Sequence, residues 1–320
     1  MTSRASTSRA PTSSATPSPK NLLAVSALLF NALVWGLSWW PLRQLQAAGL
    51  HPLWATVLIY TLAVVVIGSW RPRAWRQLAT TPALWLILLA AGGTNLGFNW
   101  GVSIGEVTRV LLLFYLMPLW TALLARWLLK EPAHAGVWLR VALALAGAVL
   151  VLAADPPANA RAAAHPVAMP HLADALALLG GFCFAFNNVM LRREAARAHE
   201  GRALAMFVGG ALVALTVATL SSARVGVMAQ AAVPWPPAPS ADWLWPAIGL
   251  ALLFLGSNLA LQFGATRLPA NLTAVIMPAE IVFGSASAAL WAGERLTPGL
   301  VGGGALILTA AVLASWRRRG

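Results

Sequence analysis

Apolar stretches of about 20 residues alternate with shorter polar connections along most of the chain. A helix of about 20 mainly apolar residues is long enough to cross the hydrocarbon core of a bilayer. The pattern therefore predicts an all-α integral membrane protein with ten transmembrane helices. We number them spans 1 to 10: residues 22–41, 52–70, 82–104, 107–129, 137–153, 172–191, 203–222, 242–264, 268–291 and 298–316.

The composition agrees with this class of protein. Of 320 residues, 59% are hydrophobic and 10% are charged, whereas an ordinary soluble domain carries about 25% charged residues. Residues 1–21 differ, because Ser, Thr, Ala and Pro dominate them, and we predict a disordered cytoplasmic tail. An organellar transit peptide is the alternative, although Pro11, Pro17 and Pro19 would interrupt its amphipathic helix.

The distribution of charge predicts an orientation. The net charge of +13 comes from Lys and Arg residues scattered between apolar stretches, which does not suggest a nucleic-acid partner. With ten crossings, 17 of the 22 Lys and Arg residues fall on the side of the amino terminus, leaving 22 − 17 = 5 on the other. Because cytoplasmic connections carry the excess of positive charge, we expect both termini in the cytoplasm and a location in the cell inner membrane.

An internal repeat divides the chain into two halves. An offset of 163 residues aligns TNLGFNWG, which begins at Thr94, with SNLALQFG, which begins at Ser257. The predicted halves are residues 22–153 and 172–316, with five spans each. An odd number of spans gives the halves opposite orientations, so we predict an inverted repeat. Many secondary transporters are built in this way, with the substrate near the membrane midplane between the halves.

Small residues recur at intervals of four in spans 3 and 8. They are Gly93, Gly97, Gly101 and Gly105 in span 3, and Gly256, Ala260 and Gly264 in span 8. Such faces let helices approach closely, so we expect both to pack against neighbouring spans.

Three groups of motifs carry a family resemblance. They are the opening NALVWGLSWWPLRQL, the ends of spans 4 and 9 at Lys130-Glu131-Pro132 and Gly293-Glu294-Arg295-Leu296-Thr297-Pro298, and the closing GGGALILTAAVLASW. In this order they resemble the EamA-type ten-helix carriers of the drug/metabolite transporter (DMT) superfamily. The resemblance implies two EamA-like five-helix repeats that export small metabolites, such as amino acids, through a cavity between spans 1, 3, 4 and 6, 8, 9. Spans 5 and 10 are then peripheral.

Glu280 is the strongest candidate for a chemical role, because it is the only carboxylate in the predicted helix Leu268–Trp291. An ionised group at mid-depth costs at least roughly 2.5 kcal/mol, so the side chain must face protein or a water-filled cavity. Small, polar or flexible residues share its helical stripe: Thr273, Met277, Gly284 and Ser287. We expect Glu280 to bind and release a proton and so couple transport to a gradient. The alternative is a permanently protonated acid that joins two helices.

Polar and aromatic residues predict a substrate path. Asn95 and Asn99 in span 3, and Asn258 and Gln262 in span 8, stand four residues apart, so each pair shares one helix face. Amides facing lipid are costly, so these faces should line the path or join helices. We add Asn187 and the aromatic residues suited to an aromatic or cationic substrate: Trp35, Trp39, Trp100, Tyr115 and Phe184. Arg109 could bind a carboxylate in transit or extend to water.

Neither an enzyme nor a cofactor is expected. The sequence lacks the nucleophile elbow, the phosphate-cradling loop and the His-Glu-x-x-His motif. A single cysteine, Cys183, and histidines confined to connections argue against a metal site. The expected partners are a small-molecule substrate, the lipid bilayer and protons. The alternatives are an uncoupled facilitator, a membrane-embedded enzyme and a membrane subunit without transport activity.

Overall fold

The structure is a computed structural model that describes residues 19–130, 135–154, 170–194, 199–225, 233–268, 272–273 and 276–315. Within these ranges every regular element is a helix, which confirms the predicted all-α class. The helices are α1 Pro19–Leu37, α2 Trp39–Ala47, α3 Pro52–Trp70, α4 Pro72–Thr80, α5 Pro82–Ile104, α6 Val107–Phe114, α7 Met117–Leu128, α8 Ala135–Ala153, α9 Pro170–Arg193, α10 His199–Ser222, α11 Ala241–Ala265, α12 Ala279–Trp291 and α13 Pro298–Ser315.

Length and apolar composition identify candidate membrane spans. In the described part of the chain there are seven: Leu22–Ala47, Pro52–Trp70, Val107–Leu128, Gly136–Ala153, His171–Arg193, Gly201–Ser222 and Ala241–Ala265. An eighth results if α4 and α5, which meet at 104°, form one bent span. The shorter apolar helices are Ala279–Trp291 and Pro298–Leu313. The count of ten therefore remains a prediction.

Two predicted boundaries differ from the structure. The predicted tail ended at residue 21, but α1 begins at Pro19, because proline is well tolerated in the first turn of a helix. Residues 1–18 of that tail lie outside the described residues. The connection between spans 2 and 3 contains α4, whose Ala74 and Leu78 are buried while Arg73 and Arg76 are exposed. This two-faced pattern is typical of a helix lying at a membrane surface.

Spans 4 and 9 are each interrupted near a proline. Span 4 turns at Tyr115 and Leu116, and α7 follows with Pro118 in its first turn. Span 9 was predicted as one helix over Leu268–Trp291, and this was wrong: the chain turns at Met277 and Pro278, and the continuous helix begins at Ala279. Proline has no amide hydrogen to donate, so the helical ladder breaks before it. The turns start 277 − 115 = 162 residues apart, close to the repeat offset of 163.

The helices pack across the chain in pairs. α1 lies against α11 and α12, and α9 lies against α5, α6 and α7. α3 packs on α10, α6 on α12, and α8 on α13. α8 exposes large side chains such as Leu145 and Val149, as expected of a helix at the edge of the bundle. α12, which carries Glu280, packs on α1 and α6.

Candidate functional site

Glu280 and Tyr115 join the two interrupted spans. Glu280 lies in the first turn of α12 and is 7% exposed, and Tyr115 lies in the turn after α6. The Tyr115 hydroxyl is 2.9 Å from Glu280 Oε2 and 3.0 Å from the carbonyl oxygen of Met277. Among the described residues, Glu280 Oε1 accepts no hydrogen bond. One carboxyl oxygen is thus held by the hydroxyl, and the other has no partner in this part of the chain.

Glycines bring α1 against α12 at this point. A Cβ on Gly36 would lie 2.7 Å from the carbonyl oxygen of Glu280 and 3.0 Å from the amide nitrogen of Gly284. A Cβ on Gly284 would in turn clash with the Leu111 side chain of α6. One turn further along α12, Ser287 Oγ accepts a hydrogen bond of 2.9 Å from Trp39 Nε1. The helical stripe of Glu280, Gly284 and Ser287 therefore faces protein, as the sequence predicted.

An aromatic cluster of six side chains adjoins the carboxylate: Trp35, Phe98, Phe114, Tyr115, Phe184 and Phe254. Trp35 stacks on Phe254 of α11 at 4.5 Å between ring centroids and meets Phe98 of α5 edge-on at 5.5 Å. Phe114 continues the cluster, with centroids 5.1 Å from Phe98 and 5.7 Å from Phe184 of α9. Phe114 also lies 6.3 Å from the Tyr115 ring. The cluster thus runs between helices of both predicted halves and ends at the partner of Glu280.

A second polar contact, which we call the clasp, lies beyond the Trp39–Ser287 layer. Glu294, in the connection between α12 and α13, accepts hydrogen bonds from the amides of Val107 at 2.7 Å and Thr108 at 3.1 Å. These amides begin α6, where a negative charge is favourable for the helix dipole. Arg43 Nη2 is 3.9 Å from Glu294 and 2.6 Å from the carbonyl oxygen of Gly105. The clasp therefore ties α2, α5 and α6 to the end of α12.

Arg109 has fixed partners. Its Nε and Nη2 each lie 2.7 Å from a different carboxylate oxygen of Asp174, forming a bidentate ion pair. Its Nη1 also donates to the carbonyl oxygens of Val151 and Ala154 at the end of α8. In this conformation the guanidinium group of Arg109 binds protein groups. The sequence had suggested that it would bind a transported carboxylate or extend to water, and it does neither here.

The amides predicted for the path occupy several places. Asn95 bonds to the Tyr60 hydroxyl, and Asn99, fully buried, donates to Thr56 Oγ1 at 3.0 Å, so both face α3. Asn187 is buried, and its Oδ1 has no hydrogen-bond partner among the described residues. Asn258 is half-buried and donates to Phe254 O at 2.9 Å, and Gln262 is exposed. Their membership in a substrate path remains a prediction.

Of the predicted aromatic residues, the structure brings Trp35, Tyr115 and Phe184 into the aromatic cluster and places Trp39 one turn beyond it. Trp100 lies elsewhere, edge-on to His51 with 5.5 Å between ring centroids. His51 begins α3, where its Nδ1 accepts a hydrogen bond of 3.2 Å from the amide of Leu53. Burial lowers the pKa of His51 to about 4 from the ordinary 6.5.

Two contacts were missed at the level of sequence. Asn31, one turn before Trp35, is fully buried and donates to Ser257 Oγ at 2.7 Å. The sequence could have indicated this contact, because Asn31 is the one amide side chain in the apolar stretch of span 1. The contact of Glu294 with α6 had no local signal, because 187 positions separate Glu294 from Val107. Across the described residues, no three His, Cys, Asp or Glu side chains come together as a metal site.

A buried carboxylate between interrupted apolar helices defines a polytopic membrane protein with a polar site in its interior. Residues 22–153 match the model of the EamA-like transporter family, which is part of the DMT superfamily. The family resemblance seen in the sequence is confirmed. The chain is an integral membrane protein of transporter type, which implies a small-molecule substrate and a lipid bilayer as its partners. A transporter family is consistent with the expected lack of enzymatic activity.

Similarity to solved structures extends over nearly the whole chain. A crystal structure titled only "Crystal structure of protein" aligns with a TM-score of 0.54 and 18% identity. The alignment covers 93% of this chain and 98% of that one. At this identity the likeness concerns the fold alone. Comparison with curated proteins finds no match.

Proposed function

We propose that this protein is a secondary transporter that exports small metabolites by alternating access across the cell inner membrane. Its substrates are amino acids or related compounds, including aromatic or cationic ones. The observation that carries the proposal is the contact between Tyr115 and Glu280, because it joins two helices that are both interrupted inside apolar spans. Secondary transporters commonly bind substrate and coupling ion where discontinuous helices meet near the bilayer midplane.

Reciprocal packing supports two five-helix inverted repeats within the ten predicted spans. Spans 1 and 6 are equivalent under the repeat. α1, which forms span 1, packs on α11 and α12, the third and fourth spans of the second half. α9, which forms span 6, packs on α5, α6 and α7, the third and fourth spans of the first half. The second spans of the halves pack on each other, as do the fourth and the fifth. Exchange of partners in this way is what a two-fold relation between halves produces.

The bias of 17 to 5 in Lys and Arg supports an orientation with both termini in the cytoplasm. The carboxyl end of α12 then lies outside, and the clasp closes the outer end of the interior. Tyr115 and Glu280 lie inward of that closed end. The inner half of span 4, α7, packs on α8 of its own half and on α9 and α13 of the other half. Because the clasp closes the outer end, substrate would enter from the cytoplasm in this conformation and leave after the clasp releases.

Glu280 is the proposed coupling group. A carboxyl group that is neutral when it faces one side and ionised when it faces the other can exchange an incoming proton for an outgoing substrate. Its hydrogen bond with Tyr115 can persist in both forms, because the hydroxyl donates to a carboxylate and can accept from a carboxylic acid. The sequence has no Lys or Arg at the middle of a predicted span that could hold the Glu280 carboxylate in its ionised form.

Metabolite profiling of the medium from cells with and without the protein identifies an exported compound for reconstitution. In proteoliposomes, Glu280→Gln should abolish efflux of that compound driven by a pH gradient while leaving exchange of substrate for substrate. Retained gradient-driven efflux in this variant would reject Glu280 as the coupling site. Efflux that ignores the pH gradient in the wild type would favour the uncoupled facilitator. A reconstituted protein that moves no exported compound would favour a membrane subunit without transport activity.

A further inference from the structure

We propose that the interior site selects an aromatic monocation, an amine without a carboxylate, over amino acids and anions. The inference rests on the proposed transport function and narrows its substrate class. It follows from three features of the residues around Glu280: the aromatic cluster, the acceptor groups beside it, and the engagement of the nearest cationic side chains.

The aromatic cluster supplies faces for a cation. Trp35 is only half-buried, although it contacts Phe98 and Phe254 from two different helices. These partners belong to different predicted halves, so Trp35 lies where helices of the two halves meet. A cation over the face of Trp, Tyr or Phe within about 6 Å of the ring centroid is attracted by the ring quadrupole. An aromatic substrate ring can also pack edge-on or offset against the same side chains.

The polar groups beside the cluster are acceptors. Asn31 Oδ1 is buried and has no hydrogen-bond partner among the described residues, and Asn31 lies one turn from Trp35 on the same face of α1. Buried polar atoms are normally hydrogen-bonded, so this amide oxygen calls for a donor from water or substrate. An ammonium group carries donors and a positive charge, and thus suits both the amide oxygen and the Glu280 carboxylate.

Among the described residues, the two arginines near the ends of spans 1 and 4 already have partners. Arg43 binds the carbonyl oxygens of Val102 and Gly105 and approaches Glu294, and Arg109 binds Asp174. A carboxylate next to Glu280 would therefore be desolvated, unpaired and close to a like charge. Such a mismatch excludes a ligand more effectively than a missing attractive contact does.

A matched series of phenyl compounds tests this charge selectivity. Phenethylamine is a cation near neutral pH, phenylalanine adds a carboxylate to it, and 3-phenylpropionate keeps only the carboxylate. We expect the purified full-length protein to bind phenethylamine at least about 100-fold more tightly than the other two in isothermal titration calorimetry. Equal or tighter binding of phenylalanine, or no binding of phenethylamine, would overturn the inference.

Variants assign the binding to this site. Phe254→Leu should weaken phenethylamine binding about three- to tenfold, within the range of a lost cation–π contact. Phe182→Leu is the matched control, because Phe182 contacts Trp120 and Phe186 and lies outside the aromatic cluster. Glu280→Gln should weaken phenethylamine binding more than Phe254→Leu does but leave enough binding for substrate exchange, and Glu280→Asp, which keeps the charge, should lose less. Equal effects of Phe254→Leu and Phe182→Leu would place the amine elsewhere and overturn the inference.

Transport of benzyltrimethylammonium separates selectivity from function, because this permanent cation crosses liposomes poorly without a carrier. An acidic vesicle interior should drive its uptake in exchange for protons. Selective phenethylamine binding without this uptake would support the charge selectivity and count against the proposed transport. Proton-driven movement of phenylalanine without movement of the cation would support transport and overturn the inference.

Discussion

The crossing of α1 and α12 at Gly36 provides a quantitative test of the site geometry. A methyl group on Gly36 would lie 2.7 Å from the carbonyl oxygen of Glu280, and ordinary contact begins at 3.4 Å, so the helices would have to separate by 3.4 − 2.7 = 0.7 Å. Overpacking of this kind costs about 1–3 kcal/mol, whereas replacing a helical glycine by alanine gains up to about 1 kcal/mol. Gly36→Ala should therefore destabilise the protein by about zero to 3 kcal/mol.

Gly256→Ala is the matched control, because Gly256 is also inside a helix but a Cβ there meets nothing within 4 Å. It should gain up to about 1 kcal/mol without any clash. The measurement is the fraction of folded protein after heating in detergent, followed by size-exclusion chromatography. Gly36→Ala should unfold at a lower temperature than Gly256→Ala and should also lose transport, since α1 moves away from Glu280. Equal or greater heat resistance of Gly36→Ala would refute the close approach.

Three further predictions follow from named contacts. Glu294→Ala removes two charge-assisted bonds to the start of α6 and should destabilise the protein by about 2–4 kcal/mol, with a smaller loss for Glu294→Gln, measured by thermal unfolding. Because His51 has a folded pKa of about 4 and an unfolded value of 6.5, its contribution to stability is complete above pH 6.5 and is lost as the pH falls towards 4. The loss should reach at most about 3 kcal/mol, and His51→Asn, which keeps an acceptor at the helix start, should flatten this part of the pH–stability curve. Tyr115→Phe should keep the fold but shift the pH profile of transport, because Glu280 loses its hydroxyl partner; an unchanged profile would show that this bond has no role in coupling.

The polarity of single residues in apolar surroundings predicted part of the site. A carboxylate within an apolar span is so costly that Glu280 was identifiable from its position alone, and its helical stripe faces protein as the spacing requires. The repeat offset also located equivalent positions, and the interruptions of spans 4 and 9 fall within one residue of it. A proline in an apolar stretch did not reveal which helices would break, because transmembrane helices tolerate proline where neighbours satisfy the backbone.

Contacts between distant residues could not be predicted from local patterns. Tyr115 and Glu280 are 165 positions apart, so only the packing of both halves brings them together. Small residues at regular spacing were only partly informative. A Cβ added to Gly97 would lie 2.5 Å from the carbonyl oxygen of Leu176, whereas a Cβ added to Gly256, predicted to belong to a similar face, would meet nothing within 4 Å. Which small residues meet a partner depends on helix crossing angles that spacing alone does not define.

Access to the interior from one side of the membrane at a time is the central claim, and cysteine labelling at Ser287 tests it most directly. Ser287 is 6% exposed beneath Trp39 and lies between Glu280 and the clasp. Cys183 is the only native cysteine, so Ser287→Cys in a Cys183→Ser background gives one reporter thiol. A membrane-impermeant maleimide should label it slowly from outside, and faster when Glu294→Ala opens the clasp. Rapid labelling from both faces under one condition, or a rate unaffected by Glu294→Ala, would contradict the account.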